Sequence, residues 1–382
     1  EWVAQFGGRK CIWIHAVSVG EVLAIRGLVE KLSEEFPQHK IVCSTVTKTG
    51  YQVACKGLGE YCQVIYAPLD FSWTVCKFIT IVDPKIYIST ETEIWPNLYR
   101  LLHQKGIPIV QINGRISDQA FRGYKRAAFL TKQIVSCVEA FYMQSPLDAK
   151  RIKDLGASSS RVNVFGNLKF DNAPDLESVK HVHLGFQEDA DILMAGSTHP
   201  GEEMILIEAY GKLLAEFPKL RLVIAPRHIE RSREVCNLIL EKGYKVVLFS
   251  KVDNHQMLDK EMVVVDTLGD LASLYSRACI VFIGKTLAVG GGQNMIESAC
   301  FGKPTIVGPL TQNFKDVMSM FLRKNAIIQV QSASEFVGAV RGLLRNSHEA
   351  GNIGDSAQRI VQENQGATVR TLDAIRDIVK NA

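Results

Sequence analysis

The sequence predicts an α/β protein of two facing Rossmann-like domains, each built on a parallel sheet. Three observations carry this reading. Short β-branched or apolar runs alternate with helical patterns along almost the whole chain. The runs are apolar on both faces, as strands covered by helices on both sides must be. The length of 382 residues exceeds what one hydrophobic core serves, so two domains of roughly 190 residues each are expected.

In the first half the strand candidates are Cys11–Ala16, Lys40–Val46, Gln63–Tyr66, Ile86–Thr90, Pro108–Asn113, Ala140–Gln144 and Val162–Phe165. In the second half they are Ile192–Ala195, Leu220–Ala225, Lys245–Leu248, Met262–Val265, Ile280–Ile283, Thr305–Val307 and Ile327–Val330. Segments such as Glu21–Phe36 and Pro200–Phe217 lie between them, with apolar residues at helical spacing. The alternation breaks at 171–190, a polar stretch with Pro174 that reads as an interdomain linker. The expected domains are therefore 1–170 and 191–356. A C-terminal helix over 357–382 is expected to pack back on the first domain.

Composition narrows the class. With 47% hydrophobic and 22% charged residues the chain is globular, which excludes a disordered, collagen-like or coiled-coil protein. Its 44 basic and 40 acidic residues leave a net charge of +4, too balanced for a protein built to hold nucleic acid. The nine cysteines are scattered singly, so neither a disulfide framework nor a zinc site is expected, and no metal is called for. Reduced thiols are the simplest reading. No apolar run approaches the roughly 18–20 residues that span a bilayer. The sequence begins at Glu1, which leaves an N-terminal anchor upstream of it open.

The chemistry is expected at strand ends. His15-Ala16-Val17-Ser18-Val19-Gly20-Glu21 runs from the first strand into a helix. Glu21 there is placed to accept a proton from an attacking hydroxyl. Ser18 and Glu21 also have capping-box spacing, with Glu21 bonding the Ser18 N–H, so both readings stand. Glu91 and Glu93 follow another strand. In alternation they cannot both point inward, so one is expected to be functional and the other solvated, unless the dipole of the following helix accounts for either. Lys169, in Gly166-Asn167-Leu168-Lys169-Phe170-Asp171, either steadies an anion beside the cleft or pairs with Asp171.

The second half carries features suited to a nucleotide. Gly196–Glu203 follows a strand, with Pro200 fitting the first position of a helix whose N–H groups attract anions. Arg227, in Pro226-Arg227-His228, is placed to clamp a phosphate. Thr267-Leu268-Gly269-Asp270 offers backbone donors around a glycine. Gly290–Glu297 opens a helix after Ile280–Ile283 without the dinucleotide fingerprint. Its glycines admit a phosphate or sugar, and Glu297 suits a ribose; Asn294 and Glu297 equally fit a capping box. Asp189-Ala190-Asp191 precedes a strand and reads as a solvated loop, and His181 and His183 read as surface residues without a third ligand. Phe121–Lys132 interleaves basic and aromatic residues, as a helix resting on an anionic membrane does, or a solvated helix face.

Taken in order, His15–Glu21, Glu91-Thr92-Glu93-Ile94-Trp95-Pro96-Asn97, Gly166–Asp171, Pro226-Arg227-His228 and Asn294–Glu297 resemble the motifs of the Kdo transferases. These are GT-B glycosyltransferases that add 3-deoxy-D-manno-octulosonic acid (Kdo) to lipid A precursors. The resemblance covers practically the whole chain. It implies a CMP-Kdo donor held mainly by the second domain, with no metal and no other cofactor. Arg227, His228, Leu268, Gly269, Asp270, Asn294, Met295, Ile296 and Glu297 would hold CMP. Ser197, His199 and Arg115 are further candidate donor or acceptor contacts. The lipid acceptor would meet the first domain, where Glu21 takes the proton of the attacking hydroxyl and the anomeric carbon inverts. Glu91 and Lys169 would stabilise the transition state.

The resemblance also implies the cytoplasmic face of the bacterial inner membrane, with an anchor upstream of Glu1 and Phe121–Lys132 on the anionic surface. Two departures from the family stand out. Gln293-Asn294-Met295-Ile296-Glu297-Ser298 replaces the usual His-Asn-Pro-Leu-Glu-Pro, and Val289-Gly290 replaces a common basic residue. A nucleotide-sugar epimerase of similar two-domain fold is the alternative enzyme, and a nucleotide-binding protein without turnover is a third reading.

Overall fold

The computed structural model describes residues 10–174, 176, 179, 182–253 and 257–381. His181 and parts of the expected 171–190 linker lie outside the described residues. Two compact units form: residues 1–172 with 364–382, and residues 173–363.

Every expected apolar run is a strand. In the first unit they are β1 (Cys11–His15), β2 (Lys40–Thr45), β3 (Gln63–Tyr66), β4 (Pro84–Thr90), β5 (Ile109–Gly114), β6 (Ala140–Met143) and β7 (Val162–Val164). In the second they are β8 (Asp191–Thr198), β9 (Leu220–Pro226), β10 (Val246–Leu248), β11 (Met262–Val264), β12 (Ile280–Ile283), β13 (Thr305–Val307) and β14 (Ile328–Gln329). Each unit holds one seven-stranded sheet, ordered β3-β2-β1-β4-β5-β6-β7 and β10-β11-β9-β8-β12-β13-β14. All recorded pairings are parallel.

The strands feed two cores at once. Along β1, Ile12 and Ile14 join one apolar cluster while Cys11 and Trp13 join the cluster on the opposite face. Period-two alternation between two buried faces is why such a strand reads as continuously apolar. The strand order reverses between β1 and β4, and again between β8 and β12. Loops leaving such a pair diverge and open a crevice at the C-terminal strand ends.

Asp171 and Asn172 end a 3-10 turn, Leu168–Asn172, that belongs to the first unit. Val182, Leu184 and Phe186 are buried in the second. At the C-terminus two helices form where one was expected. Ser347–Asn364 completes the second unit, and Ala367–Asn381 returns to the first. Leu372, Ile375 and Val379 of the latter enter the cluster that holds Leu28, Val29 and Leu32. The Asp171 carboxylate accepts the Gly366 and Thr368 N–H groups, at 2.6 and 2.5 Å, and so caps that returning helix. Phe121–Lys132 is likewise not one helix: Asp118–Arg126 and Ala128–Ser136 meet at Ala127.

Loss of a capping carboxylate leaves helical N–H groups unsatisfied, at a cost of about 1–2 kcal/mol. Asp171→Ala should therefore lower the unfolding free energy by that amount, read in urea unfolding as a lower midpoint at unchanged slope.

Candidate active site

Glu21 follows β1 and Glu91 follows β4, the two strands at which the first sheet reverses. Glu21 lies in the first turn of the helix Val19–Ala24, capped by Ser18. Its N–H donates to Ser18 Oγ at 3.4 Å, and the Ser18 hydroxyl donates to Glu21 Oε1 at 2.8 Å. Oε2 accepts the Val17 N–H at 2.9 Å, in place of the Ser18 N–H that a capping box would use. The side chain is held with only 6% of the residue exposed. Burial raises its carboxyl to about 7, Glu91 and Glu93 add negative potential, and the bonds from Val17 and Ser18 oppose the rise.

No cation balances this from His15. The Ser44 hydroxyl oxygen accepts Trp13 Nε1–H at 2.8 Å and is hydrogen-bonded to His15 Nδ1, also at 2.8 Å. Burial pushes the His15 imidazole down to about 4, which leaves it neutral.

Glu91 adopts a left-handed backbone at φ 57°, at a cost of about 1 kcal/mol for a residue with a Cβ. β5 holds it there: the Glu91 N–H donates to Ile112 O at 2.9 Å, and buried Gln111 donates through Nε2 to Glu91 O. The turn breaks strand alternation, which corrects the expectation that Glu91 and Glu93 exclude one another. Both lie in the field of Glu21, and the Glu93 carboxyl is itself raised by burial and then by Glu91.

Lys169 Nζ lies 3.9 Å from Glu91 Oε1. Buried Leu168 and Phe170 anchor it on either side. Asn113 Oδ1 accepts the Leu168 N–H, and Asn167 Oδ1 the Lys169 N–H, each at 3.0 Å. Asp171, the other partner considered, is committed to the returning helix. Arg115 follows β5 and is half-buried.

In the second unit the reversing pair is β8 and β12. Ser197 and Lys285 at their ends are left-handed, at φ 55° and 60°. Between them Gly284 is required, because a Cβ there would stand 2.3 Å from Ser197 O. Glu202, fully buried, accepts the N–H groups of His199, Lys285, Thr286 and Leu287 at 2.8–3.0 Å. The structure also corrects the helix start expected at Pro200. Gly201, not Pro200, precedes the helix Glu202–Leu214, and a protein carboxylate takes the His199 donor.

The His199 ring donates from Nδ1 to Ser197 O at 3.1 Å and sits 6.1 Å from the His228 ring. That bond leaves Nε2 as an acceptor. Burial lowers the His199 imidazole, favouring the neutral form. Arg227 and His228 are exposed after β9. Burial raises the Glu297 carboxyl, while Asn294 and the Arg227 charge oppose that. Asn294 donates through Nδ2 to Glu297 Oε1 and accepts the Ile296 N–H at Oδ1, each at 3.1 Å, which is not a capping box. Met295 and Ile296 are completely buried, and the Ile296 N–H is already used, so neither presents an exposed group to a ligand. Leu268 is 78% exposed beside Gly269 at φ 92°, and Thr267 donates to Asp270 Oδ2 at 2.6 Å.

The structure thus brings Glu21, Glu91 and Lys169 together in one unit, and Arg227 near Glu297 in the other. Sequence reasoning gave no role to Gln111, Asn113, Glu202 or Lys285. For Gln111 and Asn113 the available signal was a polar residue closing an apolar strand. No group of His, Cys, Asp and Glu suited to a metal occurs among the described residues.

Two parallel α/β units with this strand order define the GT-B fold. The solved glycotransferase of kitacinnamycin shares it at a TM-score of 0.55 and 12% identity, covering 97% of this chain and 99% of that one. A UDP-N-acetylglucosamine 2-epimerase from Neisseria meningitidis shares it at 0.54 and 11%, covering 93% and 99%. At such identities the likeness shows the fold alone. The family model of 3-deoxy-D-manno-octulosonic-acid transferase (kdotransferase) matches residues 1–172. The 3-deoxy-D-manno-octulosonic acid transferase of Haemophilus influenzae is 31% identical over 97% of this chain and 89% of its own length. The chain belongs to the 3-deoxy-D-manno-octulosonic acid transferase family.

Four backbone donors lose a charged acceptor if Glu202 is neutralised, which costs about 2–3 kcal/mol. Glu202→Gln should lower the melting temperature by about 5–10 °C in a thermal unfolding scan.

Proposed function

We propose that this transferase moves Kdo from CMP-Kdo to a lipid A precursor with inversion, Glu21 serving as the base. The observation that supports this reading is the Glu21 carboxyl, buried beside Glu91 and raised to about 7. Such a group is largely ionised just above neutrality yet basic enough to take a proton from a sugar hydroxyl. The acceptor hydroxyl forms a bond to the anomeric carbon as its proton passes to Glu21. The bond from that carbon to the phosphate oxygen breaks, and its electron pair leaves with CMP. Glu91 and Lys169 carry opposite charges beside Glu21 and stabilise the charge separation.

CMP is held by the second unit through Arg227, His228, the Leu268-Gly269-Asp270 turn and the Asn294–Glu297 segment. Ser197, His199 and Arg115 make further contacts to donor or acceptor. No metal or organic cofactor takes part.

Transfer of radiolabelled Kdo to a lipid A precursor, with CMP-Kdo generated in situ, tests the proposal. Wild type should label the lipid, and Glu21→Ala should lower the rate by roughly 10²–10⁴. Because the base works only when deprotonated, kcat/KM should fall as pH drops through about 7. Unlabelled lipid together with epimerised nucleotide sugar would favour the epimerase, and full activity in Glu21→Ala would remove the base assignment.

The membrane contact we infer lies on the first unit, at the cytoplasmic face of the bacterial inner membrane. No described helix is long and apolar enough to cross a membrane. Arg122, Lys125, Arg126 and Lys132 are exposed, and so are Phe129 at 75% and Leu130 at 60%. Cations flanking exposed apolar side chains suit an anionic lipid surface. The same segment reaches the catalytic loop, since Tyr124 donates to Thr92 O at 3.3 Å. Arg122→Glu with Arg126→Glu should abolish sedimentation with phosphatidylglycerol vesicles while leaving transfer to a detergent-dispersed acceptor within about twofold.

A further inference from the structure

Among the described residues, the left-handed positions that carry a Cβ are Asp83, Glu91, Asn113, Ser197, Lys285 and Asn325. Asp83 closes the helix Ser72–Val82, and Asn325 follows the helix Lys315–Arg323, where this conformation is ordinary. The other four lie at C-terminal strand ends, and Lys285 is the only cation in the set. Glycine would take this backbone without strain. A lysine in that conformation points to a use for the ammonium.

The backbone of Lys285 is fixed on both sides. Its N–H donates to Glu202 Oε2 at 2.8 Å, and its carbonyl accepts the Gly292 N–H at 2.7 Å. Its side chain runs along the glycine loop: a Cβ on Gly291 would stand 3.3 Å from Lys285 Cε and 3.6 Å from Cδ. Gly291, at φ 125°, therefore leaves an approach beside the lysine that any side chain would narrow. His199 lies close enough that the lysine charge adds to the effect of burial in holding the imidazole neutral. Among the described residues no carboxylate or carbonyl engages Lys285 Nζ. A half-buried ammonium at the reversing strand pair is thus presented without a protein anion.

We propose that Lys285 binds an oxyanion of the donor, laid against the Gly290–Gly292 loop. This rests on the reading that the second unit holds a CMP-linked sugar acid. That donor carries two oxyanions of the same chemistry, a phosphoryl group and a carboxylate. The glycine loop bears no side chain that would keep either away from the ammonium.

The experiment is calorimetric titration of the full chain with CMP and with cytidine, alongside the KM for CMP-Kdo. Wild type, Lys285→Met, Lys285→Arg and Lys285→Gly are compared. If the phosphoryl group is bound, Lys285→Met and Lys285→Gly weaken CMP about tenfold, Lys285→Arg restores most of it, and cytidine is unchanged. If the carboxylate is bound, CMP affinity stays at the wild-type value and KM for CMP-Kdo rises about tenfold in the same two variants. In either case Lys285→Gly should melt about 2–4 °C above wild type, because it relieves the backbone while losing the ligand contact. Unchanged CMP affinity together with unchanged KM in Lys285→Met overturns the proposal and leaves the nucleotide reading intact. A wild type that binds neither CMP nor CMP-Kdo overturns both.

Discussion

Each sheet is buried on both faces, and that constraint decides where chemistry can occur. Every residue of β1 is buried, and successive side chains enter opposite cores. Such strands have no solvated face on which to carry functional groups. Polar atoms are excluded to the strand ends, and the sheet reversal determines which ends diverge enough to admit a ligand. Glu21 and Glu91 in the first unit, and Ser197 and Lys285 in the second, all stand beside such a reversal. The chain must leave these strands at once and along a prescribed path. Three of the four adopt left-handed backbones to do so.

Two buried carboxylates show how the same placement yields different surroundings. Glu202 and Glu21 both occupy the first helical turn after the strand where their sheet reverses. Glu202 accepts four backbone N–H groups and is thereby locked into the framework. Glu21 accepts one backbone N–H and one hydroxyl while facing the carboxylates of Glu91 and Glu93. The two carboxylates differ in their supply of donors: four backbone N–H groups meet Glu202, and one N–H and one hydroxyl meet Glu21. Ser18 contributes to both aspects, since its hydroxyl orients the carboxylate while its oxygen caps the helix.

The strands were legible because burial on both faces leaves an unbroken apolar run, and sequence and structure differ there by only a few residues at the ends. The motifs that end those strands were also legible as positions. Their local geometry was not, because it depends on backbone torsions and on partners distant in sequence. Alternation fails at Glu91, whose torsion is held by Gln111 and Ile112 from the next strand. Capping spacing at Ser18 and Asn294 is present, yet the bonds go to Val17 and to a side-chain amide. Pro200 suits a helix start, but Gly201 takes the turn and Glu202 begins the helix. Asp171 looked like a neighbour for Lys169, and its real partners lie almost two hundred positions along the chain.

The link from Asp171 to the helix Ala367–Asn381 bears on synthesis of the protein. The second unit is one uninterrupted stretch, whereas the first is assembled from segments on either side of it. A ribosome therefore delivers everything the second unit needs before the first can be completed. Until the last helix emerges, the cluster around Leu28 and Leu32 lacks Leu372, Ile375 and Val379. The turn that carries Lys169 also waits for the amides that Asp171 binds. The nascent chain can thus mature its second unit while the unit bearing Glu21 stays unfinished, so the carboxylate cluster of Glu21 and Glu91 is among the last features to be set in place.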